Sequence, residues 1–84
     1  MITTPLETKV LAVLMKCRGL LPDEQIDEML QLVRAGEGGI ALENLATQLY
    51  EYEVSLEQEV VDEIASLGTM MKLDHKYWSR LTRP

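Results

Sequence analysis

Apolar residues recur along this chain at intervals of three and four, in four stretches separated by glycine, proline and capping residues. Thr4-Pro5-Leu6-Glu7 has the form of a capping box with proline at the first helical position, which predicts a helix from Pro5. Leu6, Val10, Val13, Leu14 and Cys17 follow helical spacing, and the helix is expected to end near Arg18 or Gly19, with Leu20 and Leu21 buried in the turn. Pro22-Asp23-Glu24 starts a second helix, with Ile26, Met29, Leu30 and Val33 on its inner face, Arg34 in the last turn and Gly36 as the terminating residue. After the corner Gly36-Glu37-Gly38-Gly39, a third helix is predicted over residues 40–52. Its apolar stripe is Leu42, Leu45, Ala46 and Leu49, and Glu43, Thr47 and Glu51 share another face. Tyr50 and Tyr52 sit at the margins of the stripe, where a ring is half buried and its hydroxyl stays in water.

Ser55-Leu56-Glu57-Gln58 reads as a second capping box, with Ser55 as the cap, and predicts a fourth helix over about residues 56–71 with Val60, Ile64, Leu67 and Met71 as its stripe. Asp74 then caps a short terminal turn that carries Tyr77 and Trp78 back onto the bundle, Trp78 closing the open end of the core. Short connections between these elements imply an all-α fold: a compact four-helix bundle with a short C-terminal extra helical turn, one domain over residues 1–84.

Composition supports that class. There is no phenylalanine, β-branched residues are mostly isolated, and no segment alternates apolar and polar positions between turn signals. A chain of 84 residues buries only about 60% of its unfolded surface, so a deep pocket is not expected. The single cysteine, Cys17, forms no internal disulfide, and the longest apolar run, residues 10–15, is far short of the roughly 20 that span a membrane. With no basic start and cleavage site at the N-terminus, the expected location is the cytoplasm.

Charge changes the picture more. The net charge is −6, and no Lys or Arg occurs over residues 35–71, where Glu37, Glu43, Glu51, Glu53, Glu57, Glu59, Asp62 and Glu63 supply eight negative charges. Such a segment repels nucleic acid and anionic membranes, and it steers a basic protein partner; nucleases, whose own surfaces hold phosphate, are one such class.

Candidate chemistry is sparse. His75 and Cys17 fall on different elements, and a thiol on an apolar stripe is inert packing. Glutamates on an amphipathic helix are solvated and lack the burial that would tune a general acid. No clustered ligands suit zinc or iron, no alternating oxygen loop suits calcium, and the Gly-Glu-Gly-Gly corner lacks the strand, Lys and Ser/Thr of a phosphate loop. The expectation is a non-enzyme without metal or cofactor.

The ordered series Gly36-Glu37-Gly38, Ala41-Leu42-Glu43-Asn44-Leu45, Gln48-Leu49-Tyr50-Glu51-Tyr52-Glu53-Val54, Ile64 with Leu67-Gly68, and Leu73-Asp74 with Trp78 resembles the MafI family of immunity proteins, which also occur with contact-dependent growth inhibition toxins. The likeness spans residues 33–81. It implies a small helical antidote that binds the C-terminal toxin domain of a neighbour's effector, several of which resemble EndoU-type RNases. The contact residues come from the helical wheel instead: Glu43, Thr47, Tyr50, Glu51, Tyr52 and Glu53, with Glu59, Asp62 and Glu63 nearby. The alternative is an acidic helical adaptor that inhibits nothing.

Overall fold

The computed structural model describes residues 4–81, so residues 1–3 and 82–84 of the expected domain lie outside the described residues. Five helices follow one another: α1 Pro5–Lys16, α2 Asp23–Arg34, α3 Gly38–Glu51, α4 Gln58–Met70 and α5 Lys76–Ser79. Among the described residues there is no strand, only an isolated bridge between Arg18 and Leu21. The chain is the all-α bundle with a terminal extra turn that its periodicity predicts. No helix among the described residues is long and apolar enough to cross a membrane.

The helix ends show which local signals are realised. At α1 the capping box forms in full: Glu7 N donates to Thr4 Oγ1 at 3.1 Å and Thr4 N donates to Glu7 Oε1 at 3.0 Å. The second box does not form. The fourth helix begins at Gln58 with Glu57 as its N-cap, two residues later than expected, and Ser55 is exposed in the connection. The chain has to cross from the end of α3 to the start of α4, and Val54 and Leu56 pack against the core on the way, which holds residues 54–57 out of the helix. The third helix starts at Gly38, two residues earlier than expected, because the helix N-terminus packs closely. A Cβ at Gly38 would meet Met71 Cε at 3.4 Å and Glu7 Cγ at 3.7 Å, so glycine brings that first turn against α1 and the end of α4.

Three helices end in the same way. After α2 the amide of Glu37 donates to Leu32 O (2.8 Å) and that of Gly36 to Val33 O (3.0 Å); Val54 and Glu53 repeat the pattern after α3, and Leu73 and Lys72 after α4. These paired bonds place Gly36 (φ 84°), Glu53 (φ 53°) and Lys72 (φ 61°) in the left-handed region. The three sites therefore respond oppositely to glycine chemistry. Gly36→Ala is expected to destabilise by about 1 kcal/mol although a Cβ there meets nothing within 4 Å, since the penalty is conformational. Lys72→Gly is expected to stabilise by about 1 kcal/mol. Urea midpoints measure both, and a stabilised Gly36→Ala variant would show that the left-handed turn is not what holds the corner.

Within the bundle α1 and α3 pack on each other, α3 carries the most extensive packing, against α2, and α2 and α4 do not touch among the described residues. The cross-section is therefore a rhombus with α1 and α3 across its short diagonal. The core consists of Val10, Val13, Leu14 and Cys17 of the α1 stripe, Ile26, Met29, Leu30 and Val33 of α2, Ala41, Leu42, Leu45, Ala46 and Leu49 of α3, and Val61, Ile64 and Leu67 of α4. Ile64 and Leu67 of the expected stripe are buried, but Val61 takes the place of Val60, which with Met71 is only partly buried, because packing against α1 and α3 selects one of the two adjacent valines. Leu21 is buried as expected; Leu20 is exposed, since the turn at Gly19 (φ 94°) points one of two adjacent leucines inward and the other outward. In α5, Lys76 N donates to Asp74 Oδ1 at 3.0 Å, and Trp78 comes down onto Gly68 of α4.

Candidate functional site

The nine residues expected to meet a partner lie on two helices and the connection between them, and the structure divides them. Residues two apart on a helix point about 200° away from each other, so Tyr50 and Tyr52 leave the end of α3 on opposite flanks. Tyr52, 52% exposed, faces α2, where Gln25 Nε2 donates to its hydroxyl at 3.0 Å. Tyr50, 37% exposed, faces α5, where the Arg80 guanidinium lies over its ring, 4.2 Å from the centroid. On α3 itself Glu43 and Thr47 are half-buried and Glu51 is exposed. Glu53 is exposed at the left-handed position after the helix.

On α4, Glu59 and Asp62 are exposed, Asp62 accepting a hydrogen bond from Gln58 Nε2 at 2.9 Å. Glu63 is spoken for: Lys16 Nζ of α1 lies 2.6 Å from its Oε1, a hydrogen-bonded ion pair that holds the lysine above its usual range. This pair stitches α1 to α4 and removes one carboxylate from the free acidic surface. Arg18 is likewise taken by α2, at 2.8 Å from Asp27 and 3.3 Å from Asp23. Lys16 thus neutralises one carboxylate of the acidic middle segment and Arg18 none, and Glu51, Glu53, Glu57 and Glu59 carry no ion pair among the described residues.

One concavity belongs to this region. A hollow of about 310 Å³ opens between the last turn of α3, the connection that follows it and the end of α5; Leu49, Val54 and Leu56 supply apolar wall, and Tyr50, Glu53 and Arg80 the polar groups. It was missed by sequence reasoning, which found no ground for a pocket, because it exists only where α5 returns to α3. Arg80 and Val54 are the residues overlooked. The one available signal was the absence of any basic residue from the last turn of α3, where a cation is favoured.

The groups considered for catalysis stay apart. Cys17 is fully buried in the core and His75 is exposed beside α5, its Nδ1 3.7 Å from Asp74 Oδ1. Burial pushes the Cys17 thiol up to about 11, with the Glu63 carboxylate adding to the shift. The folded protein therefore holds the proton more tightly than the unfolded chain. The stability this contributes is whole below the ordinary thiol value of 9.0 and is lost as the pH rises through about 11. The thiol is accordingly expected to resist iodoacetamide at pH 8 in the native protein and to react within minutes in urea; equal rates in the two states would place Cys17 at the surface. Among the described residues no group of three or more His, Cys, Asp or Glu side chains is arranged to hold a metal ion.

What the arrangement offers chemically is recognition: exposed carboxylates of one sign, two tyrosines and a small hollow at the end of the central helix. Comparison of the chain with models of known protein families, with curated proteins and with solved structures gave no match in any of the three.

Proposed function

We propose that this protein is a non-catalytic immunity protein that binds a basic toxin domain stoichiometrically and blocks it. The observation that carries the reading is the run of 37 consecutive positions, residues 35–71, with eight carboxylates and no Lys or Arg. Ordinary surfaces intersperse the two signs, and a face of one sign raises the rate of encounter with a partner of the other. The exposed Glu51, Glu53, Glu59 and Asp62 lie in that run, with Tyr50 and Tyr52 as amphipathic anchors of the kind that dominate interface energetics. The class of partner, a toxin and in particular an RNA-cleaving one, is the part supplied by the likeness of residues 33–81 to the MafI immunity proteins.

The test reverses charge without touching the core. A variant carrying Glu43→Lys, Glu51→Lys and Glu53→Lys is expected to keep the parent's helical circular-dichroism spectrum, since all three positions lie outside the buried set. Its association with the cognate toxin domain is expected to slow by roughly tenfold or more and to depend less on salt. Protection of cells expressing that toxin should fall in parallel. Full protection by the folded variant excludes the acidic-face mechanism.

A further inference from the structure

The hollow at the end of α3 has a chemistry of its own. Its volume of about 310 Å³ is at the bottom of the range for small-molecule sites, a size suited to one long side chain. The charged groups that line it are one carboxylate, Glu53, and one cation, Arg80, while Glu51 and Glu57 flank the lining segment in the chain and are exposed. The Glu53 carboxylate has no hydrogen-bond or ion-pair partner among the described residues, and its backbone is held at φ 53°, where glycine would be the more stable choice. Arg80 has no carboxylate either; it reaches from the end of α5 onto the Tyr50 ring.

From this we infer that the hollow seats one arginine side chain of the basic partner, which pairs with Glu53 and takes the face of Tyr50 that Arg80 covers in the free protein. Arg80 is then an internal placeholder: it satisfies the Tyr50 ring and the negative end of α3 until a better-paired guanidinium arrives. The incoming stem lies along Leu49, Val54 and Leu56, and its planar head both stacks on an aromatic face and forks onto a carboxylate, which lysine's compact ammonium does not do. Within the protein Arg80 stacks on Tyr50 and makes no ion pair with Glu53. The inference rests on the reading of the acidic face as the surface for a basic protein, and it names the group that face receives.

The experiment titrates the isotope-labelled full chain with Nα-acetyl-arginine N-methylamide at millimolar concentration, with the corresponding lysine and glutamate derivatives as controls, and follows amide and tyrosine ring resonances. The expected result is a saturable shift at Val54, Ser55, Leu56 and the Tyr50 ring, stronger for arginine than for lysine and absent for glutamate. Glu53→Gln is expected to weaken the arginine derivative severalfold, and Arg80→Gln to tighten it severalfold by removing the competitor. A structural role for Arg80 predicts the reverse, so weaker or unchanged binding in Arg80→Gln overturns the inference, as do non-saturating shifts scattered over the carboxylates of α2 and α4. Failure here is distinguishable from failure of the immunity reading. No saturable shift, together with loss of toxin binding by the triple-lysine variant, refutes the arginine seat and leaves the acidic face standing. A saturable, Glu53-dependent shift with full protection by that variant supports an arginine seat whose partner is not the toxin.

Discussion

Replacing Gly68 with alanine is expected to destabilise the protein by about 2 kcal/mol, although the same change in the interior of an exposed helix would stabilise it by about 1 kcal/mol. Gly68 lies inside α4 with ordinary helical geometry, so conformational freedom is not its purpose. A Cβ built there would come within 3.0 Å of Cζ3, Cη2 and Cε3 of Trp78, three atoms of a rigid ring that cannot fold aside. Either the indole shifts or α5 lifts away, and both give up packing at the end of the bundle. Trp78 is the only tryptophan, so its emission reports the event directly: a red shift should accompany the lowered urea midpoint. In a Trp78→Leu background the alanine should become neutral or stabilising, because the clash has been removed. A Gly68→Ala protein that melts at or above the parent temperature would mean that α5 does not dock as described.

Leu45→Ala is expected to cost about 2–5 kcal/mol, from lost burial plus the cavity left behind. Leu45 is 0% exposed in the middle of α3, the helix on which α1, α2, α4 and α5 all pack, so its side chain has no solvent route for relaxation. That loss is a large share of the roughly 5–15 kcal/mol that stabilises a typical domain. Ile40→Ala is the matched control. It also removes aliphatic surface from α3, but Ile40 is 45% exposed, and the change should stay within about 1 kcal/mol. Urea midpoints for the two variants that lie close together would show that α3 is not the centre of the core.

The sites bear on each other through α3. Its buried stripe stabilises the fold, its solvent side carries Glu43, Thr47 and Glu51, and its C-terminal turn, between Tyr50 and Glu53, forms one wall of the hollow. Substitutions that weaken the stripe will therefore lower binding indirectly.

Much of this protein was legible in its sequence because the responsible interactions are local. Thr4 and Glu7 lie one helical turn apart and cap each other whatever the rest of the chain does; Gly36 ends α2 because the turn needs a positive φ; and the apolar stripes of α1, α2 and α3 follow from a period of 3.6. Where two local solutions were nearly equal, tertiary contacts chose. Ser55 had the chemistry of a cap, but Val54 and Leu56 gained more by packing in an extended connection, and of the adjacent valines 60 and 61 the one facing α1 and α3 was buried. Long-range meetings were beyond the reach of any local pattern. The pairing of Lys16 with Glu63 joins residues 47 apart, and the contact of Arg80 with Tyr50 forms only after α5 has folded back on the bundle. The sequence by itself determined the helices, their buried faces and the sign of the charge. The tertiary structure decided which carboxylates stay free, which tyrosine faces which neighbour, and that a hollow exists, because these depend on packing energies between segments distant in the chain.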